Sequence, residues 1–203
     1  MAQITSYATL KTAIQDYLAR ADLDSFADNF IQGAEECIYS DLRAPAMETA
    51  LDETIASGVI TVPSDFIAWK AVYVDSTPIV QLEPAPLHAL YNSYPTRSAT
   101  SKPFVIARNG ANFEFGPYPD SAYDIKGTYY ARLTGLGSGN TTNFLTSDHP
   151  TMLLYACLAE AARFNKNQAD EDRFERMYQR HLGDAQRRYK EETYGKSIGM
   201  TRG

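Results

Sequence analysis

The sequence predicts an α+β protein: a four-helix α bundle built from both chain ends, with an antiparallel β lobe inserted between them. Two observations lead to this fold class. Apolar residues recur with helical spacing near both ends of the 203-residue chain, whereas the middle combines β-branched and aromatic residues with turn residues. Because amphipathic helices cannot bury their apolar faces alone, the economical arrangement packs all four helices together.

The first two helices are predicted in the N-terminal segment. Apolar residues share one helical face over 10–18, and a longer amphipathic helix follows a short break. Asp24 or Ser25 is the expected N-cap of this second helix. The helix should end near Arg43, because Pro45 disfavours helical geometry at the residue before it.

The middle of the chain is predicted to form short strands. The segment "IAWKAVYVD" is typical of a strand, and "PLHALYNSY" of a short helix with Pro86 in its first turn. The dipeptide Asn109-Gly110 is a strong hairpin signal. We therefore expect the segments 102–110, 111–119 and 123–133 to alternate as a three-stranded meander.

Two more helices are predicted in the C-terminal part. Asp148 is the expected cap of the first, with Pro150 in its first turn and an apolar face that reaches Phe164. The second covers 169–192 and opens with acidic residues that suit the helix dipole. The predicted organisation is a helical core at 1–45 and 146–194, a β-rich lobe at 46–145, and a flexible C-terminal tail at 195–203.

No enzymatic motif emerges from the sequence. The three histidines, His88, His149 and His181, lie far apart without metal-ligand spacing, and His149 is expected at the surface. The glycine-rich stretch 135–142 lacks the lysine of a phosphate-binding loop, so we interpret it as a flexible connection. We expect no catalytic residues, no metal site and no cofactor.

The two cysteines and the N-terminus carry little functional signal. Cys37 and Cys157 fall on apolar helix faces, and both are expected to be buried and unpaired. The N-terminus lacks the apolar core of a signal peptide, and no apolar run approaches a membrane span, so export and membrane insertion are not expected.

Charge is distributed unevenly along the chain. Residues 1–162 hold 9 basic and 18 acidic side chains, whereas residues 163–203 hold 10 basic and 7 acidic ones. Binding to a nucleic-acid backbone requires clustered lysine and arginine, which the acidic body does not offer. The body therefore argues against a DNA-binding protein, while the basic C-terminal part suits a protein surface.

Several stretches resemble one family of phage proteins. They include "DNFIQGAEECIYSDLRAPAME", "FEFGPYPDSAYDIKGTYYARL" and, most distinctively, "NTTNFL" through "LLYACLAEAARF". Over about residues 5–190 the chain is similar to the head-to-tail adaptors of tailed bacteriophages, the group that includes tail tubular protein A of short-tailed phages. The likeness departs at the C-terminal tail.

The resemblance implies a structural virion protein rather than an enzyme. Such adaptors form a ring, typically of twelve copies, beneath the portal protein, where the ring extends the DNA channel and offers a platform to nozzle or tail-tube proteins. DNA would pass through the lumen without sequence-specific binding. The expected location is the portal vertex of the virion, with assembly in the host cytoplasm.

Two sets of interface residues follow from this resemblance. The aromatic stretch 113–133 supplies candidates for the contact with the next tail component: Tyr118, Tyr123, Tyr129 and Tyr130. The basic C-terminal part supplies candidates for the portal contact: Arg187, Arg188, Tyr189, Lys190, Tyr194, Lys196 and Arg202.

Two alternative functions remain open at this level. One is a tail-associated peptidoglycan hydrolase, although no catalytic motif favours it. The other is a head-completion or tail-terminator protein of a long-tailed phage, which shares the logic of a ring but has different neighbours.

Overall fold

The computed structural model describes residues 3–19, 21–96 and 98–194. The chain divides into two compact units, a helical unit formed by 1–46 and 134–203 and a β unit formed by 47–133. The mixed α+β class is confirmed. Residues 134–145, which are predicted within the β lobe, belong to the helical unit instead. The predicted flexible tail at 195–203 lies outside the described residues.

Six α-helices are present in the described part of the chain. They are α1 (Tyr7–Leu18), α2 (Ala27–Asp41), α3 (Leu87–Ser93), α4 (Phe144–Asp148), α5 (Pro150–Phe164) and α6 (Gln168–Tyr194). The short α3, predicted from "PLHALYNSY", belongs to the β unit. The others form the helical unit, in which α1, α2, α4 and α6 all contact α5. The four-helix bundle itself stays a prediction.

Helix α5 is the centre of the helical unit. It is rich in small and aliphatic residues, and those on nearly all of its sides are buried, from Met152 to Ala162. This burial follows from the all-round apolar character of "MLLYACLAEAA". Phe164, expected on the buried face, is instead 51% exposed at the end of the helix.

Two predicted helix caps are wrong. Neither Asp24 nor Ser25 caps α2, because a 3₁₀ segment, Ala21–Phe26, runs directly into that helix without a side-chain cap. The helix predicted after Asp148 is α5, with Pro150 in its first turn as expected, but His149 rather than Asp148 occupies the N-cap position and no side chain caps it. A separate short helix, α4, precedes it. Asn143 caps α4 through a reciprocal capping box with Thr146, and α5 begins afresh at Pro150.

The described residues of the β unit form eight strands. They are β1 (Glu48–Thr54), β2 (Val59–Thr61), β3 (Phe66–Val74), β4 (Val80–Gln81), β5 (Glu83–Pro84), β6 (Val105–Asn109), β7 (Asn112–Gly116) and β8 (Asp124–Ala131). One sheet has the order β1-β8-β3-β4 and the other β2-β7-β6-β5. Apolar side chains from both sheets form one buried cluster, which includes Phe113 and Phe115.

The predicted meander is only half right. Strands β6 and β7 form the hairpin that Asn109-Gly110 indicates, and Gly110 has a φ of 59°. Strand β8, however, leaves that sheet and pairs between β1 and β3 in the other one. The sheets are antiparallel except for β5 and β6, which pair in parallel.

Helix α3 covers part of the second sheet and explains a buried carboxylate. Glu114 of β7 is 8% exposed. It accepts hydrogen bonds from the Tyr91 hydroxyl of α3 at 2.8 Å and from Asn109 Nδ2 at 2.6 Å. The hydrogen bonds compensate for the lost hydration of the carboxylate, as a buried charge requires.

Candidate interaction surfaces

The aromatic loop between β7 and β8 is held by contacts within the β unit. The ring of Tyr118 lies directly over Gly58, where an added Cβ atom would sit 2.4 Å from a ring carbon, and its hydroxyl donates to the Ser57 carbonyl at 3.2 Å. The Tyr123 hydroxyl donates to Asp120 Oδ1 at 2.7 Å, which raises the pKa of that phenol. Both rings are half-buried, so each presents one part of its surface to solvent.

The two tyrosines of β8 point to opposite faces of their sheet. Tyr129 is 5% exposed and belongs to the core, where its hydroxyl donates to Asp65 Oδ1 at 3.1 Å. Burial, followed by this hydrogen bond, raises its pKa. Tyr130 is half-buried on the outer face, in register with Glu48. Among the four tyrosine candidates, Tyr129 is buried in the core, and Tyr123 packs against the same apolar cluster while remaining half-buried.

Five of the seven predicted portal-contact residues lie on the last turns of α6, and three of these five are exposed. Arg187 pairs with Asp184 at 2.5 Å, and Arg188 lies 3.6 Å from Glu192. Lys190 is exposed. Tyr194 ends the described helix, but its side chain, like Lys196 and Arg202, lies outside the described residues.

Tyr189 differs from its neighbours because it is buried against His149. The Tyr189 hydroxyl is hydrogen-bonded to His149 Nε2, and the two side chains are 8% and 9% exposed. The expectation that His149 is a surface residue is therefore wrong. A cavity of about 250 Å³ adjoins the pair and is lined by Asp148, His149, Thr151, His181, Asp184 and Arg188.

This pair should make the docking of α6 onto α5 sensitive to pH. Burial, and then the nearby Arg188 charge, lower the pKa of His149, against smaller opposing effects of Asp148 and Glu192. The unfolded chain then binds a proton more readily than the folded one, so stability is full above about pH 6.5 and falls as the pH drops below it.

We expect His149→Gln to remove the loss of stability at low pH that His149 causes, because glutamine stays neutral and can still bond the Tyr189 hydroxyl. Urea unfolding at pH 7.5 and 5.5 measures this loss. The wild type should lose more stability between the two pH values than the variant. An equal loss in both would assign the pH dependence to other groups.

Glu35 is a structural centre that the sequence pattern does not reveal. It is 5% exposed on α2, and its Oε1 accepts from Leu136 N at 3.1 Å and from Asn143 Nδ2 at 2.9 Å. Oε2 also lies 3.1 Å from Leu136 N. Burial raises the pKa of Glu35, although both hydrogen bonds oppose the shift. The available sequence signal is its position four residues after Ile31, on the apolar face of α2.

The glycine-rich stretch is consequently an ordered loop rather than a flexible connection. Leu136 of this loop donates its backbone N–H to Glu35. Asn140 Nδ2 donates to the carbonyls of Thr134 and Gly135 at 2.9 and 3.0 Å. The Thr141 carbonyl accepts from Tyr7 N at 2.7 Å, which ties α1 to the same loop. The loop thus connects α1, α2 and α4.

The cysteines do not form a pair. Cys157 is buried in α5, as expected, whereas Cys37 is exposed on α2, which corrects the expectation that both are buried. Within residues 3–19, 21–96 and 98–194, no cluster of His, Cys, Asp and Glu has the composition to hold a metal ion. In the same part of the chain, the helices are too short or too polar to cross a membrane.

A comparison with models of protein families finds a match over nearly the whole chain. The model described as SU10 adaptor protein matches residues 5–199. The chain belongs to the SU10 adaptor protein family. This is a phage head–tail adaptor family, so the resemblance to phage adaptors is confirmed, and the match extends into the tail where we expected it to end. No curated protein matches the sequence.

Membership of the SU10 adaptor family indicates the general role of the protein, but not its detailed contacts. An adaptor of this family is a structural component of the phage virion that interacts with portal and tail proteins. A structural role favours a non-enzymatic protein. Within this adaptor, the exposed end of α6 and the loop between β7 and β8 are the places where most of the predicted interface residues lie.

Proposed function

We propose that the chain is the ring-forming subunit of a head–tail adaptor that docks beneath the portal and continues the DNA channel. The observation that carries this proposal is the family match over nearly the whole chain, residues 5–199, which includes both compact units. We further propose twelve copies in the virion, as in adaptors that this chain resembles.

The distribution of charge supports a conduit for DNA. A lumen lined with arginine and lysine would hold the duplex, because even about 6 to 10 phosphate contacts give tight, salt-dependent binding. Residues 1–162 instead carry twice as many acidic as basic side chains. The duplex can therefore slide past such a body without sequence-specific binding.

We assign the portal contact to the C-terminal end of α6 and the residues after it. Arg187, Arg188 and Lys190 are exposed there, and Lys196 and Arg202 follow in the sequence. A segment that becomes ordered on its partner loses conformational entropy, but repetition around a ring compensates through avidity. Tyr189 contributes by holding this end of α6 against His149.

We assign the nozzle or tail-tube contact to the loop between β7 and β8. Tyr118 and Tyr123 of this loop are half-buried, and their contacts with Gly58 and Asp120 hold the rings in place while one part remains accessible. Tyr130 of the neighbouring strand β8 is half-buried on the outer face of its sheet. Rigid, amphipathic rings of this kind lose little entropy on binding and suit a protein interface.

Mass measurement with and without purified portal protein tests this function. We expect the full chain to form a ring on portal assemblies, visible by electron microscopy on the portal axis. A variant that lacks residues 195–203 should keep its helical content but bind portal at least about tenfold more weakly. Wild-type chain that stays unbound, or binds as solitary copies, would refute the proposal.

A further inference from the structure

An arginine ridge runs along the outer side of α6. Arg173, Arg176 and Arg180 follow one another at helical spacing, and all three are exposed. The buried residues of the helix, Phe174 and Tyr178 among them, lie on its other side. The ridge spans about 10 Å at about 1.5 Å per residue.

The contacts of the arginine ridge within its own subunit are few. The Arg173 guanidinium lies over the Phe174 ring, 5.7 Å from the ring centroid. Across the described part of the chain, Arg173, Arg176 and Arg180 make no ion pair with an acidic side chain. Residues 173–190 hold six basic and two acidic side chains, a net charge of +4 in a protein whose total is −6. Arg187 and Arg188, further along, already have acidic neighbours.

A second exposed feature of the helical unit has the opposite charge and an apolar centre. We name it the acidic aromatic face; its members are Asp22, Asp24, Phe26, Asp28 and Phe164. The two rings lie 4.8 Å apart between centroids, and they remain 37% and 51% exposed although both are phenylalanines. All three carboxylates are exposed. Asp24 also accepts a hydrogen bond from Gln15 Nε2 at 2.5 Å, and Asp28 accepts one from the Tyr7 hydroxyl.

The local charge around this face stays negative. Lys11 is shared between two of its carboxylates, 3.6 Å from Asp24 and 3.5 Å from Asp28. Arg163 is already paired with Glu160 at 2.5 Å and with Glu171 at 3.0 Å. Residues 11–36 hold two basic and six acidic side chains, a net charge of −4.

The two surfaces lie on different elements of the helical unit. The arginine ridge lies on α6, and the acidic aromatic face is formed by the 3₁₀ segment Ala21–Phe26, the first turn of α2 and the end of α5. Helices α2 and α6 both contact α5, which is buried on nearly all of its sides. Each surface is exposed and carries a charge opposite to that of the other. A closed ring of identical subunits needs this arrangement, because each copy must offer two different surfaces that complement one another.

We propose that the arginine ridge of one copy docks on the acidic aromatic face of the next copy. Guanidinium groups pair with carboxylates and also stack on aromatic rings, so one row of arginines can satisfy both components of the face. The 3₁₀ and helical residues from Asp22 to Asp28 also span about 10 Å, which matches the ridge. The inference rests on the ring proposed above and names the contact between its subunits.

Charge reversal of each surface tests the contact. The ridge variant is R173E/R176E/R180E, the face variant is D22K/D24K/D28K, and the control is K102E/R108E/R132E, which makes the same change in charge as the ridge variant within the β unit. Circular dichroism checks that each is folded. Ring formation on purified portal assemblies is followed by native mass spectrometry and electron microscopy.

We expect the ridge variant and the face variant each to require at least about a tenfold higher concentration to form rings, while the control behaves as wild type. Mixed in equal amounts, the two defective variants should assemble, because each reversed surface then meets an opposite charge. If both charge-reversed variants form rings alone, or if the mixture fails to assemble, the proposed subunit contact is wrong. The proposal that the chain forms a ring would still stand if wild type forms one.

Two further outcomes also decide the matter. A ridge variant that keeps its rings but no longer attaches to portal, or no longer binds a DNA duplex that wild type binds, would assign the ridge to that partner and overturn the inference. Wild-type chain that forms no ring would refute the proposed function, and the subunit contact with it.

Discussion

Replacing Gly127 by alanine is expected to destabilise the β unit by about 3 kcal/mol, close to the upper range for overpacking a well-packed site. Gly127 lies in β8, between β1 and β3. A Cβ atom there would sit 2.3 Å from the Ala71 carbonyl oxygen and 2.9 Å from the Val72 Cα. Both neighbours are backbone atoms, so the clash cannot be relieved by a change of rotamer.

The single tryptophan makes this result measurable. Trp69 packs against the core cluster of the β unit, so its fluorescence follows the unfolding of that unit in urea. Gly183→Ala is the matched control, because Gly183 lies on the exposed side of α6 with no atom within 4 Å of an added Cβ. The control should leave the Trp69 midpoint unchanged, while the helical unit, followed by circular dichroism, should gain about 0.5–1 kcal/mol through helix propensity. An unchanged Trp69 midpoint in the Gly127 variant would contradict the predicted clash.

Replacing Glu35 by alanine is expected to destabilise the helical unit by about 2–4 kcal/mol. The substitution removes a charged acceptor that holds Leu136 N and Asn143 Nδ2, and hydrogen bonds to charged groups contribute about 1.5–3 kcal/mol each. Glu35→Gln is the matched control, because its carbonyl oxygen can replace Oε1, the atom that accepts both bonds. Its amide nitrogen takes the place of Oε2 beside Leu136 N, so its effect should be smaller than that of alanine but not zero.

Hydrogen exchange and pH separate the contributions of Glu35. The Leu136 amide should exchange faster in the alanine variant and not in the glutamine variant. Because burial raises the pKa of Glu35, the folded chain binds its proton more readily than the unfolded chain. This contribution to stability is therefore full below the usual glutamate pKa and is lost as the pH rises through the elevated value.

The glutamine variant should lack that decline. The pH dependence that Glu35 contributes has the opposite sign to the one that His149 contributes. Glu35→Gln and His149→Gln are therefore both needed to separate the two groups. If Glu35→Ala unfolds at the same urea concentration as wild type, the loop does not depend on this carboxylate.

Helix positions can be predicted from the sequence because their determinants are local. The second helix ends at Asp41, within two residues of the end that Pro45 indicates. The short helix α4 is not predictable in this way, because the reciprocal bonds of Asn143 with Thr146 that fix its start are seen only in the folded chain. Asp148 is also a good cap by residue type, yet it does not cap α5.

Strand pairing cannot be predicted in the same way, because it joins residues far apart in the chain. The hairpin of β6 and β7 is local and agrees with the prediction, whereas β1 pairs with β8, about 75 residues later. Strand β1, "ETALDET", also lacks the β-branched and aromatic residues that identify strands, apart from its threonines. Its position depends on the neighbour that it meets rather than on its own composition.

The interface candidates show the same limit. Composition identifies tyrosines and arginines, but it does not separate Tyr129, which serves the core, from Tyr130 on the other face of the same strand. The position of Glu35 on the apolar face of α2 indicates burial, but the sequence does not reveal its partners, Leu136 and Asn143, which lie about 100 residues further on. Local pattern finds the residue types, and long-range contacts decide what each one does.

The central position of α5 has a consequence for synthesis on the ribosome. Helices α1 and α2 pack on α5, yet about 120 residues separate the end of α2 from the end of α5. At about 5–20 residues per second, the apolar faces of the first two helices wait several seconds for their partner to emerge. During that interval the nascent chain exposes apolar surface to which a chaperone such as a ribosome-bound holdase can bind. The β unit also has time to fold first.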